Sequence, residues 1–140
     1  FLNFFLNFFF TAQKLEEASK KFLKKFQLNP TQFNALMIIR DYQDEGIRPK
    51  ELSRRLLINA ASTGTLIDRL EKQELIERLA VEGDRRAYHL QLTSQGTQLI
   101  KDINEIYYPL MNKVFSCDEP SRQQSLDFLD RLRNNILSIG

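Results

Sequence analysis

Two clusters of side chains near the middle of this 140-residue sequence are suited to contact with a polyanion. The first is Ala61-Ser62-Thr63-Gly64-Thr65, with Arg69 one turn further on. Hydroxyls bond to base edges or phosphates, a methyl group can meet thymine, and short side chains let a backbone come close to its partner. The second cluster, Glu82-Gly83-Asp84-Arg85-Arg86, reads as a tight turn with two arginines at its tip. A guanidinium fits the narrow, electronegative minor groove of A·T-rich duplex. Asp84 would orient one of these arginines, because a carboxylate matches the guanidinium fork. Just upstream, Arg54 and Arg55 are placed to meet phosphates, which position a protein without reading sequence. Arg69 could also meet phosphate, or be held by Asp68 or Glu71 on its own helix.

Other chemistries have little to build on. There is one histidine, His89, and one cysteine, Cys117. That excludes an intrachain disulfide and a multi-cysteine metal site. Neither a nucleophile–base pair nor a phosphate-binding loop is visible, so no enzyme, cofactor or metal centre is expected. His89 reads as facing out from a strand. The net charge is only +2, so polyanion binding must come from how charges are placed. Glu71, Glu74, Glu77 and Glu82 should limit nonspecific binding. Hydrophobic content of 42% and charged content of 27% are ordinary for one globular domain.

The elements that must carry these clusters follow from periodicity and caps. Residues 1–26 read as one helix, with Leu15, Ala18, Phe22 and Phe26 on its apolar side. Its first ten residues, FLNFFLNFFF, are apolar nearly all round. They lack a basic flank and are far short of the roughly 20 residues a membrane span needs. A helix buried against a second subunit is expected instead, with no membrane partner. Because the first residue is not Met, the sequence is expected to begin inside a longer chain. Asn29, Pro30 and Gln32 open a helix with a capping box that should run to about Asp44, where Gly46 ends it. Pro49 opens the next, with Leu52, Leu56 and Leu57 inward. Asn59 caps a helix over 60–73 with Thr63, Leu66, Ile67 and Leu70 inward. Gly64 is a poor helix residue by about 1 kcal/mol, and on an exposed face it can mark a close approach. Strands are expected at 75–81 and 87–92, joined by the five-residue turn. Thr93 caps a helix to about Phe115 that Pro109 should kink. The last helix starts either from a Ser116/Glu119 capping box or with Pro120 first, and carries Leu126, Leu129, Leu132, Ile136 and Ile139.

The run LIDRLEKQELIERLAVEGDRRAYHLQLTSQG strongly resembles the signature of the MarR family of bacterial transcription regulators. The resemblance rests on Ile67-Asp68-Arg69-Leu70-Glu71, Leu75-Ile76-Glu77-Arg78, Asp84-Arg85-Arg86 and Leu92-Thr93-Ser94-Gln95-Gly96 in that order and spacing. It implies a mainly α (α+β) fold, a winged helix-turn-helix whose N- and C-terminal helices form a dimerisation core. Residues 1–140 would be one such domain, with 29–93 binding DNA and 1–28 and 94–140 dimerising. It further implies a cytoplasmic homodimer, a repressor on double-stranded DNA, reading a pseudo-palindromic operator. Ala61, Ser62, Gly64, Thr65 and Arg69 would face the major groove. Asp84, Arg85 and Arg86 would form the wing, and Arg54 and Arg55 would touch the backbone. Family members commonly answer to small aromatic or phenolic anions or to thiol oxidation. Tyr42, Tyr107 and Tyr108, with the many Phe residues, are candidates to line a ligand pocket. Cys117, far from the N-terminal position of the family's oxidant-sensing cysteines, reads as structural or incidental. The family often has Gly where this sequence has Leu57 and Glu74, which leaves the tilt of the ribbon open. A winged helix that has lost DNA binding and works through protein contacts is the competing reading.

Overall fold

A computed structural model describes residues 2–81 and 83–139, apart from the side chains of Arg85 and Arg86. The order is α1 (Leu2–Leu23), α2 (Pro30–Arg40), α3 (Pro49–Leu56), α4 (Ala60–Lys72), β1 (Ile76–Val81), β2 (Asp84–Leu92), α5 (Ser94–Val114) and α6 (Glu119–Leu137). The fold is a winged helix, mostly helical with one antiparallel hairpin. The chain divides into two compact units, Phe1–Ile103 and Asn104–Gly140. No helix among the described residues is long and apolar enough to cross a membrane.

The core of the first unit is built from Leu23, Leu28, Phe33, Leu36, Ile39, Leu52, Ile67, Leu70, Ile76, Leu90, Leu92, Ile100 and Ile103, all buried. Asn29 and Gln32 form the expected capping box, each side chain accepting from the other's backbone N–H at 2.9 and 3.0 Å. The buried Gln32 also donates to Gln73 Oε1 at 3.1 Å, tying α2 to the end of α4.

Three helices end in the same way, and none uses glycine. After α1 the chain tightens into a 3-10 turn over Lys24–Phe26 rather than staying α-helical to Phe26. Gln27 then turns left-handed, with its N–H on Lys24 O and the Leu28 N–H on Leu23 O. Leu57 repeats this after α3, with bonds from Leu57 N to Arg54 O and from Ile58 N to Ser53 O. Glu74 repeats it after α4, with bonds from Glu74 N to Glu71 O and from Leu75 N to Leu70 O. These paired bonds satisfy the last helical carbonyls. The φ values are 58°, 54° and 59°. The ribbon therefore follows α4 through the same turn that a glycine would make. Leu57 points outward, 64% exposed, because the turn that closes α3 swings it away from the core.

Helix α2 stops at Arg40, four residues before the expected end, because apolar periodicity ceases after Ile39. Residues 41–45 turn tightly instead, and Gly46 (φ 73°) lets the chain lie against β2. Ile47 exchanges backbone hydrogen bonds with Leu90 at 3.0 and 2.9 Å, in effect a third strand. A Cβ on Gly46 would sit 2.7 Å from His89 Cβ. His89 is half-buried on the face of β2 opposite the core-facing Leu90, and it is tethered at the surface. Its Nδ1 lies 2.8 Å from Glu45 O, and Arg48 Nε donates to its Nε2 at 3.3 Å.

Thr93 caps α5 as expected: its Oγ1 accepts from Gly96 N at 3.0 Å and donates to Glu74 O at 2.6 Å. Any Cβ on Gly96 would collide with the carbonyl of Leu75. The Thr93-Ser94-Gln95-Gly96 run is thus a backbone joint between α5 and the start of the hairpin. In the second unit, Asp118 caps α6 by accepting from Ser121 N at 3.0 Å. The start is one residue before Pro120, and Ser116 takes no part, so neither expected start is the observed one. Asp118 is close enough in sequence to serve and its carboxylate is the better acceptor.

Candidate nucleic-acid interface

Helices α3 and α4 pack as a helix pair joined by the tight turn Leu57-Ile58-Asn59. Ser53 Oγ donates to Ile58 O at 2.6 Å, closing the turn. Asn59 caps α4 by accepting from Ser62 N at 2.8 Å. Thr63, Leu66, Ile67 and Leu70 are buried, as the spacing predicts. Thr63 is a polar residue in that core, and its hydroxyl is satisfied by Asn59 O at 2.9 Å.

The opposite face carries Ala61, Ser62, Thr65 and Arg69, all exposed. Thr65 Oγ1 donates back to Ala61 O at 3.2 Å, which leaves its lone pairs directed outward. Gly64 is half-buried, and no atom of another residue would touch a Cβ placed on it. Packing within the chain therefore does not require glycine there. Arg69 pairs with no acid among the described residues. Asp68 and Glu71, the alternative to phosphate that the sequence offers Arg69, are held by Arg78 of β1. A cavity of about 380 Å³ opens beside this face, lined by Asn29, Thr31, Gln32, Ile58, Ser62, Thr65, Leu66 and Arg69. Sequence reading did not place the start of α2 there. Only the tertiary packing of α2 on α3 and α4 brings it close.

The hairpin differs from the expected one. Val81 pairs with Asp84 after a register shift at Ala80/Val81, so β2 begins three residues early. Asp84, Arg85 and Arg86 belong to the strand rather than to a five-residue loop. Main-chain pairing extends as far as Gly83 (φ 82°) allows the chain to reverse. The side chains of Arg85 and Arg86 lie outside the described residues.

Arg54 and Arg55 converge on one carboxylate. Arg54 donates to Glu51 through Nε at 2.9 Å and Nη2 at 2.8 Å, and Arg55 Nε donates at 2.8 Å. Hydrogen bonds from Arg54, then from Arg55, lower the Glu51 pKa from 4.5 to about 2. Two guanidiniums on one carboxylate leave the pair net cationic. Tyr42, a candidate for a ligand pocket, lies under Arg55, its ring centre 5.0 Å from the guanidinium carbon.

The architecture is that of a winged helix-turn-helix protein. A model of the MarR family matches residues 28–88. The chain is 30% identical over 118 residues to the transcriptional repressor MprA of Escherichia coli (strain K12), covering 84% of this chain and 67% of that one. It is 28% identical over 129 residues to the HTH-type transcriptional regulator SarZ of Staphylococcus aureus (strain USA300), covering 92% and 83%. The S. aureus MepR–DNA complex superposes with a TM-score of 0.82 at 19% identity, over 94% of this chain and 96% of that one. This chain belongs to the MarR family of transcriptional regulators.

Proposed function

We propose that this chain is a sequence-specific DNA-binding repressor that holds a pseudo-palindromic operator as a homodimer and is released by a small aromatic or phenolic ligand. The observation that carries the reading is the division of α4: one face locked in the core, the other bare, short and hydroxyl-bearing. Ala61, Ser62, Gly64, Thr65 and Arg69 would enter the major groove. Asp84, Arg85 and Arg86 would reach the minor groove, with Arg54 and Arg55 on phosphate. MprA is named a repressor and MepR has been solved with DNA, which supports carrying both properties to this relative.

In this reading residues 29–93 bind DNA, and 1–28 with 94–140 dimerise. Exposed Phe4, Phe5, Phe8, Phe9 and Phe10 in α1 supply apolar surface for that contact, as do Val114, Phe115, Leu126 and Ile136 in the second unit. The cavity beside α4 combines Ile58 and Leu66 with Arg69, a match for a small aromatic anion whose presence would exclude DNA. A regulator of this kind works in the cytoplasm.

The test is a gel shift with the DNA upstream of the protein's own gene. Salt-sensitive, sequence-specific binding by a dimer is expected. Replacing Arg85 and Arg86 together with alanine should abolish the shift while fold and dimer persist. Unchanged binding by that variant would sink the wing mechanism.

A further inference from the structure

We propose that Arg78 is a positioning residue that fixes the arginine-bearing hairpin against α4, so that helix and ribbon meet DNA as one rigid surface. The inference rests on the DNA-binding reading above. Arg78 Nη2 lies 2.5 Å from Asp68 Oδ1 and 3.1 Å from Glu71 Oε2. Its guanidinium carbon sits 4.9 Å from the centre of the Tyr88 ring. Asp68 and Glu71 are three apart on α4, so they line the same side of that helix. Arg78 pairs across the hairpin with Leu90, and Ala80 with Tyr88, so Arg78 and Tyr88 are diagonal neighbours on one face of the ribbon.

The hairpin is anchored at its base by buried Leu75, Ile76, Leu90 and Leu92. Beyond Arg78 the buried apolar anchoring stops: Leu79 and Ala80 are exposed, and the other tether there, from His89 opposite Leu79 to Glu45 O and Arg48, does not reach α4. Among the described ion pairs, those of Arg78 are the ones that join α4 to the hairpin. One planar guanidinium spans two carboxylates and stacks on an aromatic ring. A lysine ammonium, a point charge, cannot do all three at once.

A second role would give the same contacts a different meaning: Arg78 could simply shield DNA from two carboxylates on the recognition helix. The two roles predict opposite signs. Removing both acids (Asp68→Ala with Glu71→Ala) unlatches the hairpin but also deletes two negative charges from the DNA side. The latch predicts weaker binding, about tenfold, to a duplex taken from upstream of the protein's own gene. Shielding predicts tighter binding, and that result would overturn the proposal. Arg78→Ala should weaken binding about tenfold, and Arg78→Lys should recover less than half of that loss. With Arg86 already replaced by alanine, Arg78→Ala should change affinity less than twofold further, since the hairpin then has less to deliver. A full further tenfold loss there would overturn the latch as well.

A DNA-free readout separates this from the function it rests on. In the intact dimer, NMR order parameters of the Leu79 and Ala80 amides should fall in Arg78→Ala, while those of α2 stay constant. Unchanged order at Leu79 and Ala80 rejects the latch even if DNA binds. A loosened hairpin in a parent protein that binds no duplex would keep the latch and reject the DNA reading.

Discussion

The segment from Leu28 to Ile103 closes its own core, whereas residues 2–10 and helix α6 do not. In the first region Leu36, Ile39, Leu52, Leu70, Leu90 and Ile103 are inaccessible to solvent, and its polar groups are paired by caps and by side chains such as Gln43. Gln43 Nε2 donates to Leu92 O, and its Oε1 accepts from Leu92 N, both at 3.2 Å, so one side chain continues the ladder. In the second region Phe4, Phe10, Leu126, Ile136 and Leu137 are half or more exposed, and α6 has no buried residue. One region folds by its own contacts. Residues 2–10 and, separately, α6 each present apolar side chains of the kind that a partner subunit covers.

The sharpest way to break the self-contained region is Gly96→Ala. A methyl group has no room against the Leu75 carbonyl, and that contact is backbone on both sides, so neither side can rotate away. The joint between α5 and the hairpin must open, at about 3 kcal/mol or more. Urea denaturation should show the midpoint falling with little change in slope. A variant as stable as its parent would mean the joint is softer than its geometry.

The open region should respond differently. Phe5→Lys with Phe9→Lys removes two stacked rings (centroids 6.2 Å apart), each about half exposed. Burying one such side chain is worth roughly 1.5–3 kcal/mol. The pair should therefore weaken self-association at least a hundredfold by sedimentation while the hairpin and α2–α4 keep their native NMR shifts. If the winged unit unfolds with it, the two regions are not independent and the contrast drawn above is wrong.

How much of this was legible in sequence follows the same division. The caps at Asn29, Asn59 and Thr93 depend on neighbours three residues away, so their residue types announce them. The inward face of α4 was readable for the same reason. The pairing of Arg54 and Arg55 with Glu51 has helical spacing and was visible but unused. In sequence Arg78 stands out only as part of the family signature, because its partners lie seven to ten residues away across a turn. The early start of β2 escaped because Gly83 and Asp84 resemble loop composition, while strand length is decided by main-chain pairing. Along α1 and the turn that closes it, the expected side holds at Leu15, Phe22 and Phe26, which are half-buried, while Ala18 is exposed and Leu23 is the residue that packs fully inside.

A smaller effect tests the glycine-free helix ends. Leu57 and Glu74 hold left-handed backbone at φ 54° and 59°, which disfavours a residue with a Cβ by about 1 kcal/mol. Leu57→Gly and Glu74→Gly should each stabilise the fold by somewhat less than that, because glycine also gains freedom when unfolded. Both side chains are exposed, so little burial is lost. A rise of a few degrees in Tm for each is expected. A fall would mean that these side chains make contacts in the dimer, and would extend the open region to the turn after α3 for Leu57 or the turn after α4 for Glu74.

The smallest effect is a pH dependence confined to the self-contained region. Glu51 has its pKa lowered from 4.5 to about 2, first by Arg54 and then by Arg55. A carboxylate whose pKa is depressed on folding contributes stability that is fully present above the unfolded value. That contribution is lost as pH falls through the folded value. The increment should therefore hold at neutral pH and disappear between about pH 4.5 and pH 2. In Glu51→Gln it is absent throughout, so the Tm values of parent and variant should differ at pH 7 and converge toward pH 2. The group is at the surface, so salt should shrink the gap. A gap that persists unchanged at pH 2 would show that Glu51 acts through packing rather than charge. The same variant also bears on DNA. Freed from Glu51, Arg54 and Arg55 would carry one more unit of net positive charge toward phosphate, so affinity should rise modestly and its salt dependence steepen.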